Sequence, residues 1–285
     1  IINTYVMCLK FKVVVMKILT LIGFLFFTIQ ITGCNSTQET SPDKLTTSIY
    51  KDELFPADFR VESEAEIFHV SKPMRKYIRQ RLSNKQNATA QSKRLLKDLF
   101  DPDQLNIQYV YDANLTASET FEQGVANCLS LTLLSYVLVQ ETELNAVFVD
   151  VSLQENWTVE NGISLANGHV NLKVFRPNNG DEFSKINRII TIDFLPMLNV
   201  PVLAQRALNK QEIMALFYNN KGANAFINGE KTIAYHYFKQ ATLHGPTLAS
   251  TWGNLASLYR QSGEMELAER LFKHAMQLDP KNLTI

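Results

Sequence analysis

The carboxy-terminal segment repeats itself. Gly222, Gly229, Ala234, Phe238, Ala241 and Pro246 return as Ala256, Gly263, Ala268, Phe272, Ala275 and Pro280, each displaced by 34 residues, and Tyr218 returns as Trp252. A fixed period of that length is the signature of stacked helical hairpins, where small residues admit close helix crossing and aromatic ones fill the gaps. The pattern predicts two copies, at about 215–248 and 249–282, within a helical segment spanning 201–285. Gln211 to Asn220 begins the first leading helix, and Ala204 to Asn209 adds a preceding turn. Two copies are fewer than a free solenoid needs, so they are expected to pack on another domain or subunit.

The chemistry-bearing stretch lies upstream. Gly124-Val125-Ala126-Asn127 leads into Cys128 and then Leu129 to Val139, an almost wholly apolar run without Pro or Gly. Its length and composition predict a buried helix starting near the cysteine. A thiol at a helix start meets unpaired backbone N–H groups and the positive dipole end, which favour a thiolate and can stabilise an oxyanion. The competing reading is a small core hydrophobe.

Downstream, His169 heads an alternating run in which Val170, Leu172 and Val174 contrast with Asn171 and Lys173. This is the period of a strand with one covered face. A second strand, R-I-I-T-I-D-F-L-P, carries Asp193, an acid that needs a partner if buried. His169 suits that role, with the carboxylate fixing one ring nitrogen and the other left for the Cys128 thiol.

The order Cys128, His169, Asp193 resembles the transglutaminase-like superfamily of papain-type folds over about Leu105 to Pro196, including the approach I-Q-Y-V-Y-D-A-N-L-T-A-S-E-T-F-E-Q-G-V-A-N-C. The resemblance implies an α+β fold, helices on a small antiparallel sheet, with Cys128 as nucleophile, His169 as base and acid, and Asp193 as orienting residue. Gln123 and Gln108 are the candidates for a second oxyanion donor beside the Cys128 backbone N–H. Val170-Asn171-Leu172 departs from the aromatic many relatives carry after the histidine, as does the long polar insert before Asp193. The second repeat, W-G-N-L-A-S-L-Y through A-E-R-L-F-K-H-A-M-Q-L-D-P, resembles the tetratricopeptide signature, with Ala256 at its usual glycine position.

At the amino end, Met16-Lys17, an apolar core and I-T-G-C follow the secretory-signal pattern. The ending resembles the bacterial lipobox, which implies lipidation of Cys34 and a periplasm-facing outer-membrane location. The resulting division is 1–34 for upstream residues and signal, 35–49 for a flexible polar tether, and 50–200 for the transglutaminase-like domain with amino-terminal helices. Lys72 to Leu82 and Thr89 to Phe100 are expected helices, Asn145 to Leu153 a strand, and 154–168 a polar loop forming a lip over the site. Residues Tyr50 to Phe68 receive no role.

The 28 Lys and Arg balance 28 Asp and Glu, so nothing points to a polyanion or nucleic-acid partner. Cys8, Cys34 and Cys128 are too few and too separated for a disulfide framework or a CxxC metal site, and no phosphate loop or dinucleotide fingerprint occurs. No cofactor or metal is expected. The leading expectation is a lipid-anchored cysteine hydrolase or acyltransferase acting on a peptide or protein amide. The alternative is a noncatalytic envelope protein-binding module on the same fold. For partner capture, repeat geometry nominates Asn219, Ala223 and Phe226 in the first copy, and Gly253, Ser257 and Arg260 in the second.

Overall fold

A computed structural model describes residues 49–82, 88–153, 157–160, 163–166, 169–176, 189–194 and 202–280. Cys34, the signal-like stretch and the polar tether up to residue 48 lie outside the described residues. Among those described, no helix is long and apolar enough to cross a membrane.

Three helices come first: α1 (Glu64–Ile67), α2 (Lys72–Arg81) and α3 (Ala88–Phe100). Helix α2 starts with Pro73 in its first turn, where a missing N–H costs nothing, and buries Met74, Tyr77 and Ile78. Its basic side is partly committed to ion pairs, Arg75 to Glu141 at 2.6 Å and Arg81 to Asp98 at 2.9 Å.

Strand β1 (Gln108–Tyr109) pairs in parallel with β2 (Val125–Ala126), and α4 (Ala117–Gln123) connects them. Thr116 and Glu119 close a capping box at the start of α4, and Gly124 ends it at φ +66°, a conformation glycine takes without strain. This turn delivers the chain to α5 (Cys128–Gln140). Leu129, Leu131, Leu133, Leu134, Val137, Leu138 and Val139 are all buried, so the helix is covered on every side.

The main sheet has the order β7-β6-β3-β8, antiparallel throughout, from β3 (Asn145–Leu153), β6 (His169–Phe175), β7 (Ile190–Ile192) and β8 (Val202–Leu208). Strand β8 corrects the expected boundary at residue 200. Ala204 to Leu208 is not a turn before the repeats but an edge strand, with Ala207 opposite Val149 and Leu208 opposite Phe148. Its mixture of Ala, Gln and Arg hides the alternation, and the ladder to β3 supplies what the pattern lacks. The expected loop over 154–168 likewise contains a hairpin, β4 (Trp157–Glu160) with β5 (Ile163–Ala166). Each strand has four residues, too short for a period to register.

Asn209 and Glu212 then form a capping box that starts α6 (Lys210–Ile227), followed by α7 (Lys231–His244), α8 (Ala249–Gln261) and α9 (Met265–Leu278). The 34-residue spacing is visible in the backbone: Gly229 and Gly263 take φ +81° and +89° between the helices of each hairpin. Ala234, Ala241, Ala256 and Ala275 are fully buried, and a Cβ on Gly222 would meet the Phe238 ring at 2.7 Å. The hairpins do not stand free. Ile213, Met214, Phe217 and Tyr218 belong to the same apolar core as α5, Phe148 and Leu172.

One buried charge ties α2 to α3. Asp98 is 1% exposed and accepts from Arg81 Nε and Nη2 and from the Tyr77 hydroxyl at 3.1 Å. Burial works against its carboxylate, but the Arg81 and Tyr77 hydrogen bonds outweigh it and hold the group below its ordinary value. A depressed carboxyl contributes stability above its unfolded pKa and loses it as pH falls through the folded one. Asp98→Asn is therefore expected to destabilise the fold at neutral pH by about 1–2 kcal/mol, because the buried carboxylate's charge-assisted hydrogen bonds to a partly exposed Arg81 are lost. Denaturant titrations of both proteins should converge as pH drops below the ordinary aspartate range.

Candidate functional site

Cys128 occupies the first position of α5, as the sequence predicts. The Asn127 side chain caps the helix by accepting from Ser130 N at 3.0 Å, and its amide donates to Asn114 Oδ1. Asn114 in turn donates to Asn220 O in α6 at 3.3 Å, while Ser130 Oγ donates to Ala113 O and accepts from Leu115 N. The thiol-bearing turn is thus fixed to the 113–115 loop and, through it, to the first helical hairpin. Asn114 and Asn220 are 13 residues or more from Asn127 in sequence, and only the tertiary fold brings them together.

The thiol differs from the expected one. Burial pushes the Cys128 pKa up, and the backbone N–H groups of Leu129 and Cys128, which pull it down, do not compensate. The charge of Asp193 adds a further upward push. Desolvation of an anion outweighs a helix end here, so the favoured thiolate is replaced by a protonated thiol.

His169 and Asp193 meet as predicted. His169 is 5% exposed, and its Nε2 lies 3.0 Å from Asp193 Oδ1. An ionised carboxylate only accepts, so Nε2 carries the hydrogen and donates it. Asn171 Nδ2 donates to the other oxygen, Oδ2, at 3.2 Å. Asn171 was not singled out from sequence, although it shares the alternating phase of His169. His169 Nδ1 is buried and has no hydrogen-bond partner among the described residues.

Strand alternation sets the relation of this pair to Cys128. Val170 and Leu172 join the core that includes α5, which turns His169, Asn171 and Asp193 toward the other face of the sheet. Thr132 Oγ1 reaches Val170 O at 3.4 Å, and Tyr136 packs on Phe148, the partner of Leu172. Helix and strand therefore run in the same sense, and Cys128 stands at the level where β6 opens with His169. The structure brings His169 onto Asp193 and places Cys128 within electrostatic reach of Asp193, but it forms no hydrogen bond between Cys128 and His169.

Gln108 and Gln123, the expected oxyanion donors, have exposed side chains, and among the described residues neither is hydrogen-bonded to Cys128. The neighbour that sequence reasoning missed is Tyr109, whose hydroxyl is pushed up first by burial and then by the Cys128 charge. It adjoins an exposed apolar strip with Val110 and Tyr111.

The partner-binding surface nominated from the repeats is corrected by burial. Asn219, Phe226 and Ser257 are 1%, 1% and 3% exposed. Asn219 Oδ1 accepts from Asn254 Nδ2 at 2.9 Å, and Phe226 packs edge-on to Phe238. Asn219 thus joins the first hairpin to the second, Phe226 closes the first hairpin internally, and only Arg260 of the four is exposed, its guanidinium over the Phe272 ring.

A family model described as tetratricopeptide repeat matches residues 249–282. No curated protein and no solved structure matches the chain. The carboxy-terminal helices are thus an α-helical repeat segment on a mixed α and β body, and repeats of this kind serve protein–protein interaction.

Two measurements follow from the thiol's surroundings. Alkylation of Cys128 in the folded protein should be slow at neutral pH, and its rate should keep rising at pH values where an unfolded thiol has already levelled off. Asn127→Ala should cost about 1 kcal/mol in a denaturant melt through loss of the cap.

Proposed function

We propose that the chain is a cysteine-dependent hydrolase or acyltransferase of the transglutaminase-like type, acting on an amide of a peptide or protein that the repeats help to recruit. The observation that carries this reading is the His169 ring. A buried imidazole nitrogen without a partner costs about 1–3 kcal/mol, and such a group calls for a reason. A carboxylate that fixes Nε2–H leaves Nδ1 as the basic nitrogen, which is the arrangement a histidine base needs. In this mechanism Nδ1 takes the Cys128 proton as the sulfur attacks the amide carbonyl. His169 returns that proton to the leaving amine, and water or a second amine, deprotonated by His169, releases the acyl group from sulfur. Because the two groups form no hydrogen bond in this structure, this mechanism requires the ring and the thiol to approach each other when substrate binds, as catalytic pairs that are long in the free protein do. The exposed strip of Tyr109, Val110 and Tyr111 offers the substrate an apolar platform beside Cys128.

The second reading is a noncatalytic binding protein. The raised thiol and the missing Cys128–His169 hydrogen bond favour it. An electrophilic peptide probe separates the two. Catalysis predicts labelling of Cys128 faster than with iodoacetamide, lost in His169→Asn and cut about a hundredfold or more in Asp193→Asn. Equal, slow labelling of all three proteins would leave only the binding role.

The proposal includes a lipid anchor on Cys34 and an outer-membrane position facing the periplasm, resting on the I-T-G-C sequence alone. Mass spectrometry of the amino-terminal peptide after expression in a bacterial host should show a lipid-modified cysteine, absent in Cys34→Ser. An unmodified soluble product would remove the anchor and leave the site chemistry untouched.

A further inference from the structure

The segment Tyr50–Glu62 lies on the repeat helices as a ligand would. It forms a single 3-10 turn at Asp52–Leu54, and the rest has no regular structure. Its hold on α7 and α8 runs through a few anchors. Phe55 stacks on Tyr235 with ring centres 4.5 Å apart and touches Tyr259. Asp52 accepts from Lys239 Nζ and from the Tyr235 hydroxyl, each at 2.7 Å. His236 Nε2 donates to Phe55 O at 3.1 Å, and Tyr259 receives the backbone N–H of Lys51. Further along, Phe59 packs edge-on to Tyr237, and Glu62 pairs with Lys221 at 3.0 Å.

Between these anchors Glu53, Leu54, Pro56, Ala57, Asp58 and Arg60 are exposed. Tyr235 and Tyr259 beneath are 0% exposed, so removing the segment would bare two aromatic faces beside a lysine. That surface spans α7 of the first hairpin and α8 of the matched repeat. Its chemistry is aromatic and cationic, complementary to a peptide carrying a carboxylate and an aromatic.

We propose that the surface made by Tyr235, His236, Lys239 and Tyr259 is a docking site for an extended segment of a partner protein with an acid three residues ahead of an aromatic, and that Tyr50–Glu62 is its resident occupant in cis. The partner displaces the resident segment, and the fraction of molecules with the segment released sets the apparent affinity. This reading stands apart from the Cys128 chemistry and is tested without it.

The experiment uses the full chain and a fluorescent peptide with the sequence of residues 50–62, followed by anisotropy. The double variant Asp52→Asn, Phe55→Ala loosens the resident segment, and its affinity for the peptide should rise at least about tenfold over wild type. Adding Lys239→Glu should return it to wild type or below. A double variant that is folded by circular dichroism yet binds no tighter overturns the proposal, as does equal binding of a scrambled peptide. If the double variant does not melt cooperatively, Asp52→Asn alone decides: the carboxylate is exposed, and faster amide exchange across 51–60 with an affinity gain of about threefold is expected. No change in either overturns the proposal. Light scattering on wild type at the same concentrations should give a monomer. A dimer lost in the double variant would assign the surface to exchange between copies and overturn the partner reading.

Discussion

A helix that is apolar on every side has to be enclosed on every side, and α5 imposes that condition on the rest of the fold. Its leucines and valines cannot be satisfied by a sheet alone, which covers one face. The remaining cover comes from the amino-terminal helices and from the leading helix of the first hairpin, whose Ile213, Phe217 and Tyr218 enter the same core. The repeats are in this sense part of the fold that surrounds the cysteine helix. Their shortness, which would leave a solenoid unstable, is compensated by this shared apolar surface.

The same enclosure shapes the chemistry. A helix start offers an anion unpaired N–H groups, but a start buried deeply enough to hold a core helix also withdraws the water that stabilises charge. At Cys128 the second effect prevails. The Asn127 to Asn114 to Asn220 chain fixes the position of that turn and couples it to α6. On the other face of the sheet, His169 is held by Asp193, and Asp193 by Asn171, leaving one buried ring nitrogen unused. The acyl-transfer reading we propose rests on these two groups, a histidine fixed by its carboxylate and a protonated thiol, which form no hydrogen bond with each other.

The carboxy-terminal helices show how a repeat can be recognised without its working surface being known. Recurring Ala and aromatic positions report helix crossing, and every one of them is accounted for in the packing of α6 to α9. The remaining positions are left open by the period. Asn219 and Ser257 were available in principle for a partner, but adjacent hairpins close over them. Meanwhile Tyr235, which does not recur in the period, and Lys239 receive Phe55 and Asp52 from a segment some 180 residues away.

Periodicity and local chemistry determined the elements whose signal is contained in their own residues. These are α5 starting at Cys128, β3 over Asn145–Leu153, β6 with His169 at its head, and the 34-residue hairpins. The His169–Asp193 pair was also legible, because an acid in an apolar strand demands a partner and one suitable base lay nearby in the pattern. Tertiary structure alone decided that Val202–Leu208 is a strand, since its ladder to β3 is a backbone interaction that side-chain alternation does not record. It also decided that the Cys128 thiol is raised, which depends on how much water the enclosing elements exclude. The placement of Tyr50–Glu62 on the repeats was decided there too, because a segment without period acquires its place only from the surface it meets.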